Sequence, residues 1–169
     1  MVRAKITGFP PVAAPDARIL ILGSMPSVES LRRTEYYGHS RNLFWDFMGE
    51  FFGASRELPY RRRLRVLVKN RVALWDVARR CRREQSADAT MEQVEPNDIP
   101  GLLGRCRRVR AVFLNGRKAE ELFLRLVWPE LGECRPSLHR QYLPSTSPAN
   151  ARLRPGAKLG TWRGILEWL

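Results

Sequence analysis

Two loops built from small residues, hydroxyl side chains and prolines could clamp a phosphate or a sugar. Gly23–Ser27 follows the apolar segment Ile19–Leu22, and Leu143–Asn150 follows the short β-type segment Gln141–Leu143. In an open parallel sheet all strands end on one edge, and the crevice at that edge binds ligands. Two such loops at one edge would hold an anionic group between backbone N–H groups and hydroxyls. We therefore expect a ligand site where the two loops meet.

The composition favours a polyanionic partner. Among 169 residues, 30 lysines and arginines face 17 acidic residues, which gives a net charge of +13. Arginine carries most of the excess positive charge. Its guanidinium makes bidentate hydrogen bonds to phosphate oxygens and stacks on bases. This pattern indicates nucleic acid, and the alternative is a solvated basic surface that reflects a preference for arginine codons. A membrane surface is disfavoured, because no long basic amphipathic helix has a clean apolar face.

The cysteines indicate neither a metal site nor a disulfide framework. Cys81, Cys106 and Cys134 are widely spaced, and no CxxC pair or Cys/His cluster occurs. We expect reduced thiols, no metal and no cofactor. The start of the chain lacks the long apolar segment of a signal peptide, and no stretch approaches the roughly 20 apolar residues of a membrane span. These features predict a cytoplasmic protein without membrane contact.

The elements that must position the loops alternate between strands and helices. Apolar or β-type runs predict strands over 18–22, 72–75, 111–114 and 138–143. Capping and helical spacing predict helices after Ser27, from Leu43 to Gly53, over 60–69, from Ile99, from Ala119 to Pro129, and over Thr161–Leu169. Residues 1–17 are expected to form an irregular arm and residues 82–96 a loop. The alternation predicts a single α/β domain with a parallel sheet.

The predicted strand ends carry the residues that a binding site would need. Each strand is followed by small or polar side chains, namely Gly23 and Ser24, Asp76, Asn115 and Gly116, and Ser145. Such residues end the strands of many doubly wound proteins, so they carry weight only together with a motif. The first loop lacks both GxGxxG and GxxxxGK[ST], and therefore neither a dinucleotide site nor a P-loop is indicated.

Three segments in this order resemble the uracil-DNA glycosylase superfamily, and most closely its hypoxanthine-DNA glycosylase family. They are Gly23–Ser27, Tyr36–Trp45 and Leu143–Asn150, and Pro96–Ile99 fits the same branch. The resemblance implies a three-layer α/β/α fold with a central four-stranded parallel sheet, in one glycosylase domain over 1–169. It also implies hydrolysis of the N-glycosidic bond of a deaminated base in DNA, uracil, hypoxanthine or both, after the nucleotide is flipped into a pocket.

The resemblance assigns catalysis to Asn42. An amide can orient a water below the sugar and steady an oxocarbenium-like transition state, although it cannot take a proton. The alternative is that Asn42 caps the helix that begins at Leu43, and both roles can hold. Met25 stands where many members of the superfamily carry Asp or Asn. Its backbone N–H, beside that of Ser24, could still bond a base carbonyl and stabilise the departing anion.

Two further side chains are assigned to the flipped base. Tyr37 aligns with the aromatic residue that stacks on it, with a packing role as the alternative. Asp76 stands at the position of an asparagine that reads the base edge in uracil enzymes. A carboxylate only accepts, which suits the ring N–H that both hypoxanthine and uracil present. The alternative for Asp76 is the cap of a helix that contains Val77 and Cys81.

The remaining assignments concern the DNA backbone and the wedge that fills the vacated stack. They are Ser27, Ser145, Ser147, Asn150 and Arg152, with the wedge placed by position only. Leu143 stands where the superfamily often has a histidine that donates towards the departing base, so that donor is absent. We interpret His39 as a structural or DNA-contacting residue.

These features together predict a monomeric, metal-independent glycosylase that acts on DNA containing deaminated bases, in the cytoplasm and at the nucleoid. Two alternatives stay open. One is a damaged-DNA-binding module of the same fold that cleaves nothing, and the other is a nucleoside or nucleotide hydrolase. Excision assays on duplexes with deoxyinosine or deoxyuridine distinguish the first, and a steep salt dependence argues against the second.

Overall fold

A computed structural model describes residues 5–169, with residues 133–136 described by their backbone alone. The strands are β1 (Lys5–Thr7), β2 (Ile19–Gly23), β3 (Val72–Asp76), β4 (Ala78–Arg82), β5 (Glu92–Pro96), β6 (Ala111–Asn115) and β7 (His139–Leu143). The α-helices are α1 (Val28–Arg33), α2 (Phe44–Phe52), α3 (Tyr60–Lys69), α4 (Ile99–Arg105), α5 (Arg117–Leu122) and α6 (Pro155–Trp162). Shorter helical segments cover Asp88–Thr90, Phe123–Val127, Trp128–Ser137 and Arg163–Trp168.

The larger sheet is parallel and has the strand order β3-β2-β6-β7. All residues of β2, β3 and β6 are buried. Because successive side chains of a strand point to opposite faces, this burial means that both faces are covered. Helix α3 contacts β3, α5 contacts β6, and α6 contacts β7. The predicted α/β/α fold with a central four-stranded parallel sheet is confirmed, and the carboxyl ends of all four strands lie on one edge.

Helix α2 links this core to the loop that precedes it. Its buried face consists of Phe44, Trp45, Phe47 and Met48. The Phe44 ring meets Trp162 of α6 edge to face, with 6.0 Å between centroids, and such aromatic pairs add to the free energy of burial. The helix ends at Gly53, whose φ of +74° is a left-handed conformation that glycine adopts without strain. The segment just before α2 is therefore held against a rigid element.

The second sheet corrects three of the expectations. Strands β1, β4 and β5 form an antiparallel sheet in the order β1-β4-β5. The arm over 1–17 is thus not irregular throughout, since it contains β1, and the predicted loop over 82–96 contains β5. As its alternative role, Asp76 was expected to cap a helix that contains Val77 and Cys81. That helix does not form, because Val77 directly precedes strand β4 and Cys81 lies within it. Long-range pairing decides these elements, and no local pattern reports it.

The last helix also differs from the expectation. It begins at Pro155 rather than Thr161, and residues Arg163–Trp168 continue as a 3₁₀ segment. Pro155 occupies a first-turn position, where its missing N–H costs no hydrogen bond.

Two of the three cysteine side chains lie within the described residues. Cys81 and Cys106 are buried free thiols, while the side chain of Cys134 lies outside the described residues. Among residues 5–169, no helix is long and apolar enough to cross a bilayer. In the same part of the chain, no three His, Cys, Asp or Glu side chains group as a metal site would require.

Candidate active site

A cavity of about 100 Å³ opens at the carboxyl edge of the parallel sheet. It is lined by the loop after β2, the segment before α2, the ends of β3 and β6, the loop after β7 and the β4–β5 hairpin. The structure brings most of the sequence-predicted site residues together here, namely Ser24, Met25, Ser27, Tyr37, Asn42, Asp76, Ser145 and Ser147. Asn150 and Arg152 are not among the residues that line the cavity.

The first loop, Gly23–Ser27, begins where the last residue of β2 lies beside Asp76, the last residue of β3. A Cβ atom added to Gly23 would overlap Asp76 Oδ1 and would lie 3.1 Å from Tyr37 Oη. Glycine at position 23 therefore lets the Asp76 carboxylate approach the backbone. Ser27 caps α1, since its hydroxyl accepts the Ser30 N–H at 3.1 Å. The Met25 side chain is buried against Ala78 and Cys81, so position 25 contributes apolar packing and backbone groups.

Replacing Gly23 with alanine should destabilise the protein by about 1–3 kcal/mol, because a methyl group is forced into occupied space. The change should also displace the Asp76 carboxylate from its position at the end of β3. Gly104 in α4 is the matched control, because a Cβ there meets nothing within 4 Å. Gly104→Ala should stabilise the helix by about 0.5–1 kcal/mol. Urea unfolding of both variants measures the difference, and equal effects would contradict the proposed contact.

Asn42 lies at the wall of the cavity directly before α2. Its side chain is 8% exposed, and its Oδ1 accepts the Phe44 N–H at 3.0 Å. The capping role that the sequence left open is therefore present. The Nδ2 group takes no part in this cap. Arg56 donates to the carbonyl groups of Asn42 and His39, which fixes the backbone of this segment.

Tyr37 lines the cavity, and its ring is held by Phe44. The two rings stack, with 4.0 Å between ring centroids and 23° between planes. The φ of Tyr37 is +54°, a conformation that costs free energy for a side chain with a Cβ and is found at functional sites. Burial raises the pKa of the Tyr37 hydroxyl, and the nearby Asp76 charge raises it further. The ring is therefore a neutral, fixed platform.

Asp76 is the last residue of β3 and is 4% exposed. Its Oδ2 atom has no hydrogen-bond partner within the described part of the chain. Burial raises the pKa of Asp76 to about 7; the Asp88 charge adds to the rise and Arg83 opposes it. A buried carboxylate oxygen without a partner costs free energy, and it is compensated when a ligand donates to it.

Thr146 ties the loop after β7 to the other walls. Asn115 donates from Nδ2 to Thr146 Oγ1 at 2.9 Å and accepts the Thr146 N–H at 3.0 Å. The Thr146 carbonyl accepts the N–H of Leu43, the neighbour of Asn42, at 3.0 Å. The buried Lys158 amine of α6 donates to the Ser145 and Asn150 carbonyls at 2.7 and 2.5 Å. This network holds the loop that contains Ser145 and Ser147 next to the Asn42 segment.

The cavity residues that sequence reasoning missed include Arg83 and Asp88. Both belong to the β4–β5 hairpin, which the sequence presented as a polar loop. Asp88 accepts hydrogen bonds from Ser24, 64 positions earlier in the chain. No spacing rule connects residues so far apart, so no signal in the sequence could have identified the pair.

The residues assigned to the wedge lie beside the cavity. Asn150 donates its N–H to the Ser147 carbonyl and holds Lys158 through its own carbonyl, so it shapes the loop. Arg152 is exposed, and next to it Leu153 is an exposed apolar side chain, 47% accessible, between two arginines. His39 is not among the residues lining the cavity, and its Nδ1 accepts the Arg41 N–H at 3.1 Å. Leu153 was not singled out from the sequence.

The fold and the cavity define an α/β protein with a rigid polar pocket at the carboxyl edge of a parallel sheet. The family model of the uracil DNA glycosylase superfamily matches residues 10–166. A hypoxanthine DNA glycosylase of Methanosarcina acetivorans is 38% identical over 166 residues, which cover 95% of this chain and 97% of that protein. A hypoxanthine DNA glycosylase of Methanosarcina barkeri is 37% identical over 118 residues, 69% of this chain and 75% of that protein.

The similarity extends to a solved structure. The solution NMR structure of a candidate uracil DNA glycosylase from Methanosarcina acetivorans matches with a TM-score of 0.77 and 35% identity, over 96% of this chain and 99% of the other. The chain belongs to the uracil DNA glycosylase superfamily, and it is a DNA glycosylase, a hydrolase of N-glycosyl bonds.

Proposed function

We propose that this enzyme excises hypoxanthine and uracil from DNA after the damaged nucleotide has rotated out of the duplex into the cavity. The observation that carries the proposal is that Tyr37 and Asn42, from the segment before α2, and Asp76, from the end of β3, line one cavity. The names of the relatives from Methanosarcina favour hypoxanthine. Base flipping is the general way for an enzyme to reach a glycosidic bond inside a duplex.

The roles follow from the contacts of each side chain. The free face of Tyr37 stacks on the base, a contact of about 1–3 kcal/mol that tolerates any base. The unpartnered Asp76 Oδ2 accepts the ring N–H next to a carbonyl, which hypoxanthine and uracil present and adenine lacks. The Asn42 amide orients a water at the sugar carbon and stabilises the developing positive charge. The backbone N–H groups of Ser24 and Met25 are available to a base carbonyl.

The DNA backbone binds around this cavity. The hydroxyls of Ser27, Ser145 and Ser147 lie at its wall and suit phosphate oxygens next to the flipped nucleotide. The net charge of +13 supplies a sequence-independent attraction to DNA. Asn150, Arg152 and the exposed Leu153 follow on the same loop, and we assign this segment to the gap that the flipped base leaves. We propose that the enzyme works as a monomer on chromosomal DNA inside the cell.

One experiment tests the proposed function. Labelled oligonucleotides that contain deoxyinosine, deoxyxanthosine, deoxyuridine or normal bases are incubated with the protein and then treated with alkali. Abasic sites at deoxyinosine and deoxyuridine are expected, with a rate that falls steeply as salt rises. Binding to damaged duplexes without abasic product would instead favour a damage-binding module. Release of bases from free nucleosides at the same rate as from DNA would favour a nucleoside hydrolase.

Replacement of Leu153 with alanine should lower hypoxanthine excision from duplex DNA about tenfold, because an apolar side chain no longer fills the vacated stack. Excision from single-stranded DNA should change little, since no stack has to be filled. Leu166→Ala is the control, because Leu166 is also an exposed leucine, 38% accessible, in the Arg163–Trp168 segment. An equal loss on both kinds of DNA would show that Leu153 is not a wedge.

A further inference from the structure

The cavity contains a second carboxylate, Asp88, to which the proposed function gives no role. It lies in the turn of the β4–β5 hairpin and lines the cavity together with Asp76. Its two carboxylate oxygens accept hydrogen bonds from Ser24 Oγ at 3.1 and 3.0 Å. The Asp88 side chain is 44% exposed, so one side of the carboxylate stays open to a bound molecule. The hairpin thus delivers an acidic group to the first loop.

Arg83 fixes this carboxylate in place. Its side chain is 1% exposed, and its Nη1 lies 3.7 Å from Asp88 Oδ1. The same guanidinium donates to the carbonyl of Pro26 at 2.6 Å and to that of Gln85 at 2.8 Å. Arg83 therefore joins the hairpin to the first loop, and the position of Asp88 relative to Ser24 is set by buried contacts. A carboxylate held in this way is preorganised for electrostatic work.

Hydrolysis of a glycosidic bond needs a group that accepts a proton. As the C–O bond to water forms at the sugar carbon, the C–N bond breaks, its electron pair leaves with the base, and the water gives up a proton. The Asn42 amide can orient the water but has no basic atom. Among the described residues that line the cavity, the side chains with a proton-accepting carboxylate are Asp76 and Asp88, and none is histidine. Asp76 is buried at the end of β3, where it is assigned to the base edge.

We propose that Asp88 is a further catalytic residue, the base that takes the proton from the attacking water and whose charge stabilises the cationic sugar. The proposal rests on the proposed glycosylase reaction. The proton on Asp88 passes to the departing base anion or to solvent, which restores the carboxylate. The Ser24 hydroxyl and the Arg83 guanidinium are positioning groups in this account, because they hold the Asp88 carboxylate in place.

The charges around Asp88 determine how the reaction should depend on pH. Burial raises the pKa of Asp88, and the Ser24 hydrogen bond, Arg83 of the hairpin and Lys118 of α5 oppose the rise. Glu121 of α5 adds to it, and Asp76 of β3 faces the same space. Because a base must be ionised, the excision rate should fall on the acid side of the profile. Removal of Asp88 should remove that contribution to the acid limb.

The test is single-turnover excision of hypoxanthine by the full chain as a function of pH. Asp88→Asn should lower the rate by at least about 100-fold, with duplex binding unchanged. Because ionised Asp76 is assigned to the base edge, the acid limb due to Asp88 is measured in the Asp76→Asn background, where Asp88→Asn should flatten it. Glu95→Gln is the matched control, because Glu95 is a carboxylate of the same hairpin that pairs with Arg79 and Lys5 outside the cavity. Formate should restore part of the rate to Asp88→Ala and none to Asn42→Ala.

The outcomes separate this proposal from the proposed function. No abasic product from the wild-type protein would overturn both. Excision by the wild type together with an unchanged rate in Asp88→Asn would overturn the role of Asp88 alone, and so would an acid limb that Asp88→Asn leaves unaltered in the Asp76→Asn background. Should Asp88→Asn fail to fold, Ser24→Ala replaces it. Loss of the Ser24 hydrogen bond should move the acid limb to higher pH, and an unmoved limb would overturn the proposal.

Discussion

Replacement of Asn42 with alanine should lower the single-turnover rate of hypoxanthine excision by at least about 100-fold while duplex binding stays near that of the wild type. The amide Nδ2, which takes no part in the cap of α2, is the group we assign to the attacking water. Its loss removes an interaction that is made mainly in the transition state, so kcat falls and affinity does not. Rapid-quench kinetics and a fluorescence binding assay measure the two quantities.

The loss of the helix cap requires its own control. Asn42→Ala also removes the acceptor for the Phe44 N–H, which should destabilise the protein by about 1 kcal/mol. Asp98→Ala removes a comparable cap from α4, where the Asp98 carboxylate accepts the Gly101 N–H at 2.9 Å. That variant should lose similar stability and keep its excision rate. A similar rate loss in both variants would show that Asn42 acts through stability alone.

The second large effect concerns Asp76. Asp76→Asn should change the ratio of the excision rates of hypoxanthine, xanthine and uracil by about tenfold or more, because an amide both donates and accepts where the carboxylate only accepts. The oligonucleotide panel described above measures these ratios. A fixed preference among the three bases would remove Asp76 from the base edge.

The same substitution should alter how stability depends on pH. The pKa of Asp76 is raised from 3.8 to about 7 in the folded protein, so folding disfavours the ionised form. The stability contribution of this group is therefore fully present below about pH 4 and is lost as pH rises towards 7. Asp76→Asn has no such loss and should unfold less readily above pH 7, by a free energy on the order of 4 kcal/mol. Urea unfolding at pH 4 and pH 8 measures it.

If the gain in unfolding free energy of Asp76→Asn over the wild type were smaller at pH 8 than at pH 4, the raised pKa of Asp76 would be contradicted. The ionised form of Asp76, which we assign to base recognition, is also the form that destabilises the fold. Such opposition between stability and activity is typical of functional residues. A bound base that donates to Asp76 Oδ2 would offset it, so substrate should stabilise the wild type more than Asp76→Asn.

The sequence was sufficient for the parallel sheet and for most of the cavity. Ile19–Leu22 and Ala111–Leu114 are continuous apolar runs, which is typical of strands buried on both faces. Once the strands are parallel, their carboxyl ends must share one edge. The loops after β2 and β7 were therefore expected to meet, and residues of both loops line the cavity.

The β4–β5 hairpin could not be predicted in the same way. In β4, Ala78 and Cys81 are the buried positions, and arginines occupy the places between and after them. The short strand β1, about 70 residues earlier in the chain, pairs with β4 and completes the sheet. Stability in such a sheet comes from cross-strand contacts rather than from local preference, so residues 82–96 looked like a polar loop. Asp88 was missed for this reason.

The two sheets also give the enzyme two kinds of evolutionary freedom. The parallel sheet and its loops hold Asn42, Asp76, Ser145 and Ser147 in one interlocked frame, where most changes would disturb the cavity itself. The antiparallel sheet has strand β1 at its edge, and its β4–β5 hairpin brings Arg83 and Asp88 to the cavity. Because β1 pairs with β4, mutations in β1 can shift this hairpin and with it the position of Asp88, while the frame of the parallel sheet is inherited unchanged.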